Sequence, residues 1–401
     1  MLKTACRLIL DIDPEAHLRV FTTDPVRLKQ LCPAVEAIAP TGQAAWLAAK
    51  CFPLPQRILP NPVQKALYAK EKHYKFENPN RALAMMQCRT DYQRHHADKV
   101  AGWLDAIDWA DAVIVTGGGF VTDAFGGHLE GVLHTLRWAR QKQRPTAFFG
   151  QGLGPLASRR LRRMASSELN AASSVNLREG AHGLALGASL GCNTSNWTVT
   201  GDDAFAILAS EQHDVSQGHA LGINVRVAAY AGVDPSKSAT LATDLEAARS
   251  QCAGQWMPLP VDLCSRQGDA AQTLPLLAAG TISIDYQAPN LPDDLAALVA
   301  HCRIVITGSY HVAVFALAQG VPVVALAANA YYDAKFAGLA AFFSGGIRTV
   351  NHTDPGFSEN LLEGVRTQWT MPDKQRRALV ERSQCIANFV KTAYCDFFTG
   401  L

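Results

Sequence analysis

The 401-residue sequence has little excess of either charge: 37 Lys and Arg stand against 35 Asp and Glu, a formal net charge of +2. No strong field advertises a nucleic acid partner or an anionic membrane. None of its ten cysteines belongs to a CxxC pair, which argues against a structural zinc site. Cysteines scattered through a chain this long point to reduced thiols, hence a cytoplasmic location. No apolar run approaches the roughly 18 residues of a spanning helix. The longest candidate, Val312 to Leu326, contains Gln319, Gly320 and Pro322, which predict a helix end followed by a strand. The N-terminal apolar stretch is broken by Asp11 and Asp13, unlike a signal peptide. The phosphate-loop pattern GxxxxGK[ST] and the nucleophile elbow GxSxG are missing. "VTGGGF" lacks the spaced glycines of a dinucleotide fingerprint.

What the sequence has is alternation. From Ala101 onward, apolar runs of strand length ("DAVIVTGGGF", "PTAFFGQGLGPL", "SSVNLRE", "WTVTGDD") alternate with amphipathic helical stretches. After a polar segment at 209–219, a second series follows: "ALGINVRV", "TISIDY", "RIVITGSYH", "VPVVALA". Such alternation with short connections predicts parallel sheets covered on both faces. The expected fold class is therefore α/β, with two doubly wound Rossmann-like domains facing a cleft. The expected domains are residues 1–212, residues 220–371, and a C-terminal helix over 372–401 that packs back on the first domain. Ligands in such folds bind beyond the carboxyl ends of the strands.

Several residues with useful chemistry sit at those ends. His311 follows the buried run "RIVITG" at the first turn of a predicted helix, where free N–H groups favour an anion and an imidazole can exchange a proton. The alternative is a histidine satisfied as a helix cap. Ser309 and Tyr310 lie in the same turn. Arg178 closes "SSVNL", Asp202 and Asp203 close "WTVTG", and Asp285 closes "TISI". Each alone could be a plain surface end. Asn224 and Arg226 put two polar groups on one face of a strand that should be apolar on both, so that strand end should border the cleft. Lys335 follows the next strand, where it could reach an anion or lie on the surface. Gly118 and Gly119 let backbone approach a ligand or a neighbouring element. The His95–His96 pair is adjacent in sequence, so its rings diverge, as on a solvated helix face. "VIVTG" at Val113–Gly117 and "VITG" at Val305–Gly308 are echoes of one another, one in each half.

The ordered set "DAVIVTGGGFVTD", "GQGLGPL", "SVNLREG", "VTGDDAFAIL", "GINVRV", "SIDY", "ITGSYHVAVFALAQGVPVVAL" and "YYDAKFAGL" resembles the polysaccharide pyruvyl transferase family. The resemblance implies a two-domain fold like that of GT-B glycosyltransferases. It also implies transfer of a pyruvyl group from phosphoenolpyruvate to a sugar as a ketal, with release of phosphate. On this view His311 transfers the proton, and Arg178, Arg226 and Lys335 contact the donor's anionic groups. Asp203 and Asp285 orient sugar hydroxyls. The expected partners are phosphoenolpyruvate and a sugar or lipid-linked oligosaccharide, the latter implying peripheral membrane association in exopolysaccharide biosynthesis. No cofactor and no metal is expected. The chain departs from the family pattern in three places. Ser309 stands where an Arg is common two residues before the histidine, Arg178–Glu179 replaces an Arg-Asp pair, and the sequence opens in the helix that follows the first strand and turn of many members, so either the start lies upstream or part of the acceptor-side wall is expected to be lacking. Two alternatives use the same fold: a GT-B glycosyltransferase with a nucleotide-sugar donor, and a non-catalytic sugar-binding relative.

Overall fold

The computed structural model describes residues 1–52, 60–208, 218–225, 238–261 and 291–401. The chain forms two compact units. Unit 1 comprises Met1–Leu177, Gly183–Val199 and Ala393–Leu401; unit 2 comprises Arg178–His182 and Thr200–Thr392.

Unit 1 opens with a helix, Leu2–Ile12, followed by two short parallel strands, β1 (Arg19–Phe21) and β2 (Glu36–Ile38). Its main sheet holds β3 (Val113–Val115), β4 (Gly118–Val121), β5 (Thr146–Leu153), β6 (Ser174–Leu177) and β7 (Thr198–Val199). The order is β3-β5-β6-β7, with β4 also paired to β5, and every pairing is parallel. All eight residues of β5 are buried, as expected of a central strand covered on both faces. Helices Gly126–Gln141 and Arg159–Ala171 supply Leu129, Leu133, Leu136, Leu161, Met164 and Leu169 to the core against it.

Unit 2 holds β8 (Ala220–Asn224), β9 (Trp256–Pro258), β10 (Cys302–Thr307), β11 (Val323–Ala327) and β12 (Ile347–Asn351) in the order β12-β11-β10-β8-β9, again all parallel. The β-branched run Ile304–Thr307 makes β10 a strand, and it is fully enclosed at the centre of the sheet. The next helix, Tyr310–Ala318, buries every side chain except His311, which is half-buried. That helix stops at Gly320, whose φ of 73° lies in the left-handed region. The Val321 N–H then donates to the Ala316 carbonyl at 2.9 Å and frees the chain for β11. A long helix, Asp373–Thr399, ends the chain, and its last residues belong to unit 1, where Tyr394 stacks on Phe149 with centroids 3.9 Å apart.

Both units thus have the expected doubly wound α/β architecture. Among the described residues no helix is long and apolar enough to cross a membrane.

Candidate functional site

Unit 2 gathers its polar residues at the carboxyl end of β10. There Thr307, fully buried, accepts a hydrogen bond from the Ser309 backbone N–H through its Oγ1 at 2.9 Å. This turn holds Ser309 extended (φ −97°, ψ 122°) and lets the helix begin at Tyr310. Serine is a preferred N-cap residue, but the Ser309 hydroxyl caps nothing: its Oγ is buried and has no partner. The first N–H groups of the helix, unmatched by intrahelical geometry, are left without a side-chain cap.

Two other chain segments meet this helix start. Arg178, just beyond β6, is 4% exposed, and its guanidinium lies 4.3 Å from the centre of the Tyr310 ring. Such stacking orients the cation without neutralising it. Its Nε is enclosed without a partner. The second segment is Thr200–Leu208. Phe205 and Leu208 pack in one hydrophobic cluster with Tyr310, Val312 and Ala313, which brings Asp202 close enough to act electrostatically on both Tyr310 and His311. Asp202 is 1% exposed. Its Oδ1 accepts from the Ala204 backbone N–H at 2.9 Å; its Oδ2 has no partner.

The His311 Nε2 is likewise enclosed and unpartnered. Burial pushes this imidazole down to about 4; Asp202 opposes the shift, and Arg178 and Lys335 add to it. At neutral pH the ring is therefore uncharged and able to accept a proton. The Tyr310 phenol is pushed upward, chiefly by burial, and stays protonated.

The predicted site residues are distributed as follows. Arg178, Ser309, Tyr310 and His311 come together, with Lys335 within electrostatic reach of His311. Lys335 stacks on Tyr331 at 4.0 Å, on a helix capped by Asn329. Asn224 is fully buried at the end of β8, where its Nδ2 donates to the Leu259 carbonyl at 2.9 Å, a tie between strand ends. Asp203 is as buried as Asp202 and is engaged. Gly118 and Gly119 belong to unit 1, in β4. Arg226 and Asp285 lie outside the described residues.

Three features escaped the sequence reading. Asp202 is one of two adjacent acids, and the sequence points to the other, Asp203, as the site residue. Glu179 is 5% exposed, accepts from the His182 N–H at 3.0 Å, and presses on Gly338 so closely that a Cβ there would lie 2.7 Å from its own. Gln151, fully buried in β5 opposite Gly118, donates through Nε2 to the Thr116 carbonyl at 2.6 Å. In the sequence Gln151 is a lone polar residue among the glycines of "GQGLGPL", with no pattern that marks its role.

A sequence profile of the family described as polysaccharide pyruvyl transferase matches residues 28–329, well over half of the chain. No curated protein matches the sequence. Among solved structures, the chain is similar to a UDP-GlcNAc 2-epimerase from Neisseria meningitidis bound to UDP-GlcNAc. There the TM-score is 0.56 and the identity 14%, with 97% of this chain and 94% of that one covered. It is also similar to the HepE protein of Anabaena in complex with UDP and glucose (TM-score 0.53, 15% identity, 99% and 96% covered). A third is a putative UDP-N-acetylglucosamine 2-epimerase from Listeria monocytogenes (TM-score 0.51, 14% identity, 76% and 81% covered). These likenesses show a GT-B-like fold of two Rossmann-like units. They also overturn the expectation of a phosphoenolpyruvate-dependent, ketal-forming pyruvyltransferase with phosphoenolpyruvate as its partner: the neighbours are proteins of UDP and UDP-sugars. The physical reason for the error is that an anion-binding helix start serves a diphosphate as readily as a phosphoenolpyruvate.

Proposed function

We propose, for a chain that belongs to the polysaccharide pyruvyl transferase family, that it acts as a GT-B glycosyltransferase on a nucleotide-sugar donor, with the donor diphosphate held in unit 2. The observation that carries this reading is the enclosed, unpartnered Nε of Arg178 beside the uncapped start of helix Tyr310–Ala318. A buried donor without a partner is costly unless a ligand completes it. A cation stacked on the first residue of a helix adds to the positive potential of the helix N-terminus, and together they call for an anion. The UDP and UDP-sugar complexes among proteins of the same fold support a nucleoside diphosphate as that anion.

In the proposed reaction the bond between the sugar's anomeric carbon and the diphosphate oxygen breaks, and an acceptor hydroxyl oxygen forms a new bond to that carbon. Arg178 and the open N–H groups take the charge that develops on the leaving diphosphate, where preorganised donors act most strongly. Neutral His311 takes the proton of the acceptor hydroxyl at Nε2. Asn224 and Thr307 hold the strand ends in place beneath these groups. The proposal includes a cytoplasmic location, in keeping with the free cysteines among the described residues.

Calorimetric titration of the purified chain with UDP, UDP-glucose and, for contrast, phosphoenolpyruvate tests the reading. Binding of UDP that weakens in Arg178→Ala, with phosphoenolpyruvate silent, is the expected result. Folded protein that binds phosphoenolpyruvate and ignores UDP would sink it.

A further inference from the structure

The enclosed atoms around the helix start are not all of one kind. Arg178 Nε donates, and Ser309 Oγ and His311 Nε2 can each donate or accept according to where a proton sits. Asp202 Oδ2 differs, because a carboxylate oxygen accepts and does not donate. An anion can satisfy Arg178, Ser309 and the helix N–H groups, but it cannot satisfy Asp202, whose charge would repel it. The carboxylate cannot swing away to water. It is 1% exposed, the Ala204 N–H pins its Oδ1, and the chain on its C-terminal side is packed into the core through Phe205 and Leu208. A ligand that completes every one of these atoms must carry a hydrogen-bond donor next to its anionic group. On a nucleotide-sugar both the ribose and the transferred sugar carry such hydroxyls; those of the transferred sugar lie nearest to the diphosphate, and only they distinguish the nucleotide-sugar from the bare nucleotide.

We infer that Asp202 is a specificity-determining residue: its free Oδ2 accepts a hydrogen bond from a hydroxyl of the donor sugar and selects the sugar-bearing nucleotide over the bare one. The inference rests on the nucleotide-sugar reading of the site. It also separates the two adjacent acids. Asp203 is engaged within the protein, whereas Asp202 keeps one oxygen open.

The test is calorimetric titration of the full chain, wild type and Asp202→Asn, with UDP and with UDP-glucose, UDP-galactose and UDP-N-acetylglucosamine. Asparagine keeps the oxygen that accepts from Ala204 and converts the other position from acceptor to donor. Wild type should bind at least one UDP-sugar more tightly than UDP, by roughly tenfold to a hundredfold for a hydrogen bond to a charged group. In Asp202→Asn that advantage should fall to about unity, while UDP itself binds as tightly or more tightly because a negative charge is gone. Asp202→Ser, whose hydroxyl can still accept from the Ala204 N–H, is the second variant if asparagine is not tolerated, and should give the same loss. A wild type that binds UDP with no gain from any of the three sugars overturns the inference alone, as does a gain that survives both substitutions. A folded wild type that does not bind UDP overturns the nucleotide reading and this inference with it.

Discussion

In unit 1 the run Val113–Val115 reaches Thr116–Gly117, breaks, and resumes along the same neighbour as β4, with Gly118 opposite Gln151. The carbonyls freed at the break are taken by Gln151 Nε2, from Val115 at 3.4 Å and Thr116 at 2.6 Å. In unit 2 the echoing run ends at Thr307–Gly308. There the chain turns straight into a helix, and Thr307 Oγ1 accepts from the Ser309 N–H at 2.9 Å and donates to the Ser309 carbonyl at 3.3 Å. In the first turn a side chain takes up the freed carbonyls, with one enclosed atom of its own, Gln151 Oε1, left without a partner. The second leaves Ser309 Oγ, His311 Nε2, Arg178 Nε and Asp202 Oδ2 enclosed without partners. Similar local sequence thus serves cohesion in one place and, in the proposed function, recognition in the other. What decides between them is the contribution of distant segments: Gln151 in unit 1, Arg178 and Asp202 in unit 2.

The contrast can be broken most forcefully at His311. His311→Ala should lower UDP-forming turnover of a nucleotide-sugar by roughly a hundredfold or more, the scale of a lost general base, with circular dichroism unchanged. Arg178→Ala should weaken UDP binding by about tenfold to a hundredfold, as expected when charge-assisted hydrogen bonds are lost. Gln151→Met should do the reverse: it exposes buried carbonyls to no partner, so unfolding by denaturant should ease by about 1–3 kcal/mol while UDP affinity holds. A fall in UDP affinity with stability intact would dissolve the distinction between the two turns. Gly338→Ala should also cost about 1–3 kcal/mol, because the added methyl meets Glu179 and one of them must move.

A last effect, confined to acid conditions, is one of pH. His311 and His134 are pushed down by burial to about 4 and about 3, below the ordinary value of 6.5. The unfolded chain therefore binds protons that the folded chain refuses, and stability rises with pH across that window. The contribution of neutral His311 is complete above about pH 6.5 and is lost as the pH falls toward about 4. In His311→Gln the dependence of the denaturation midpoint on pH between 4 and 6.5 should be shallower by up to about one proton. An unchanged slope would mean that the half-buried ring titrates as it does in water.

Much of this arrangement could be read from the sequence. The apolar runs of β5, β10 and β11 and the helix after Ser309 are visible because a strand buried on both faces and a helix stopped by Gly320 each leave a local pattern. Arg178 and His311 stood out because a polar group at the end of such a run is conspicuous. Of the two neighbouring acids the sequence points to Asp203, but the choice between them was not legible there. It depends on which carboxylate finds a partner in the folded chain, and neighbouring identical residues carry no pattern that tells them apart. Glu179 against Gly338 is a contact between segments far apart in sequence. The donor was misread because the family's motifs encode the sheet and its anion-binding turn, and those motifs do not specify what is attached to the anion.

The chain enters unit 2 for Arg178–His182, leaves it, returns at Thr200, and departs again at Thr392. The unit that carries the proposed donor site is therefore no contiguous stretch of polypeptide. A fragment cut at Thr200 would keep His311 and Asp202 but lose the cation that faces them. Recombination that exchanged everything after that point would transplant a recognition surface without its counter-charge.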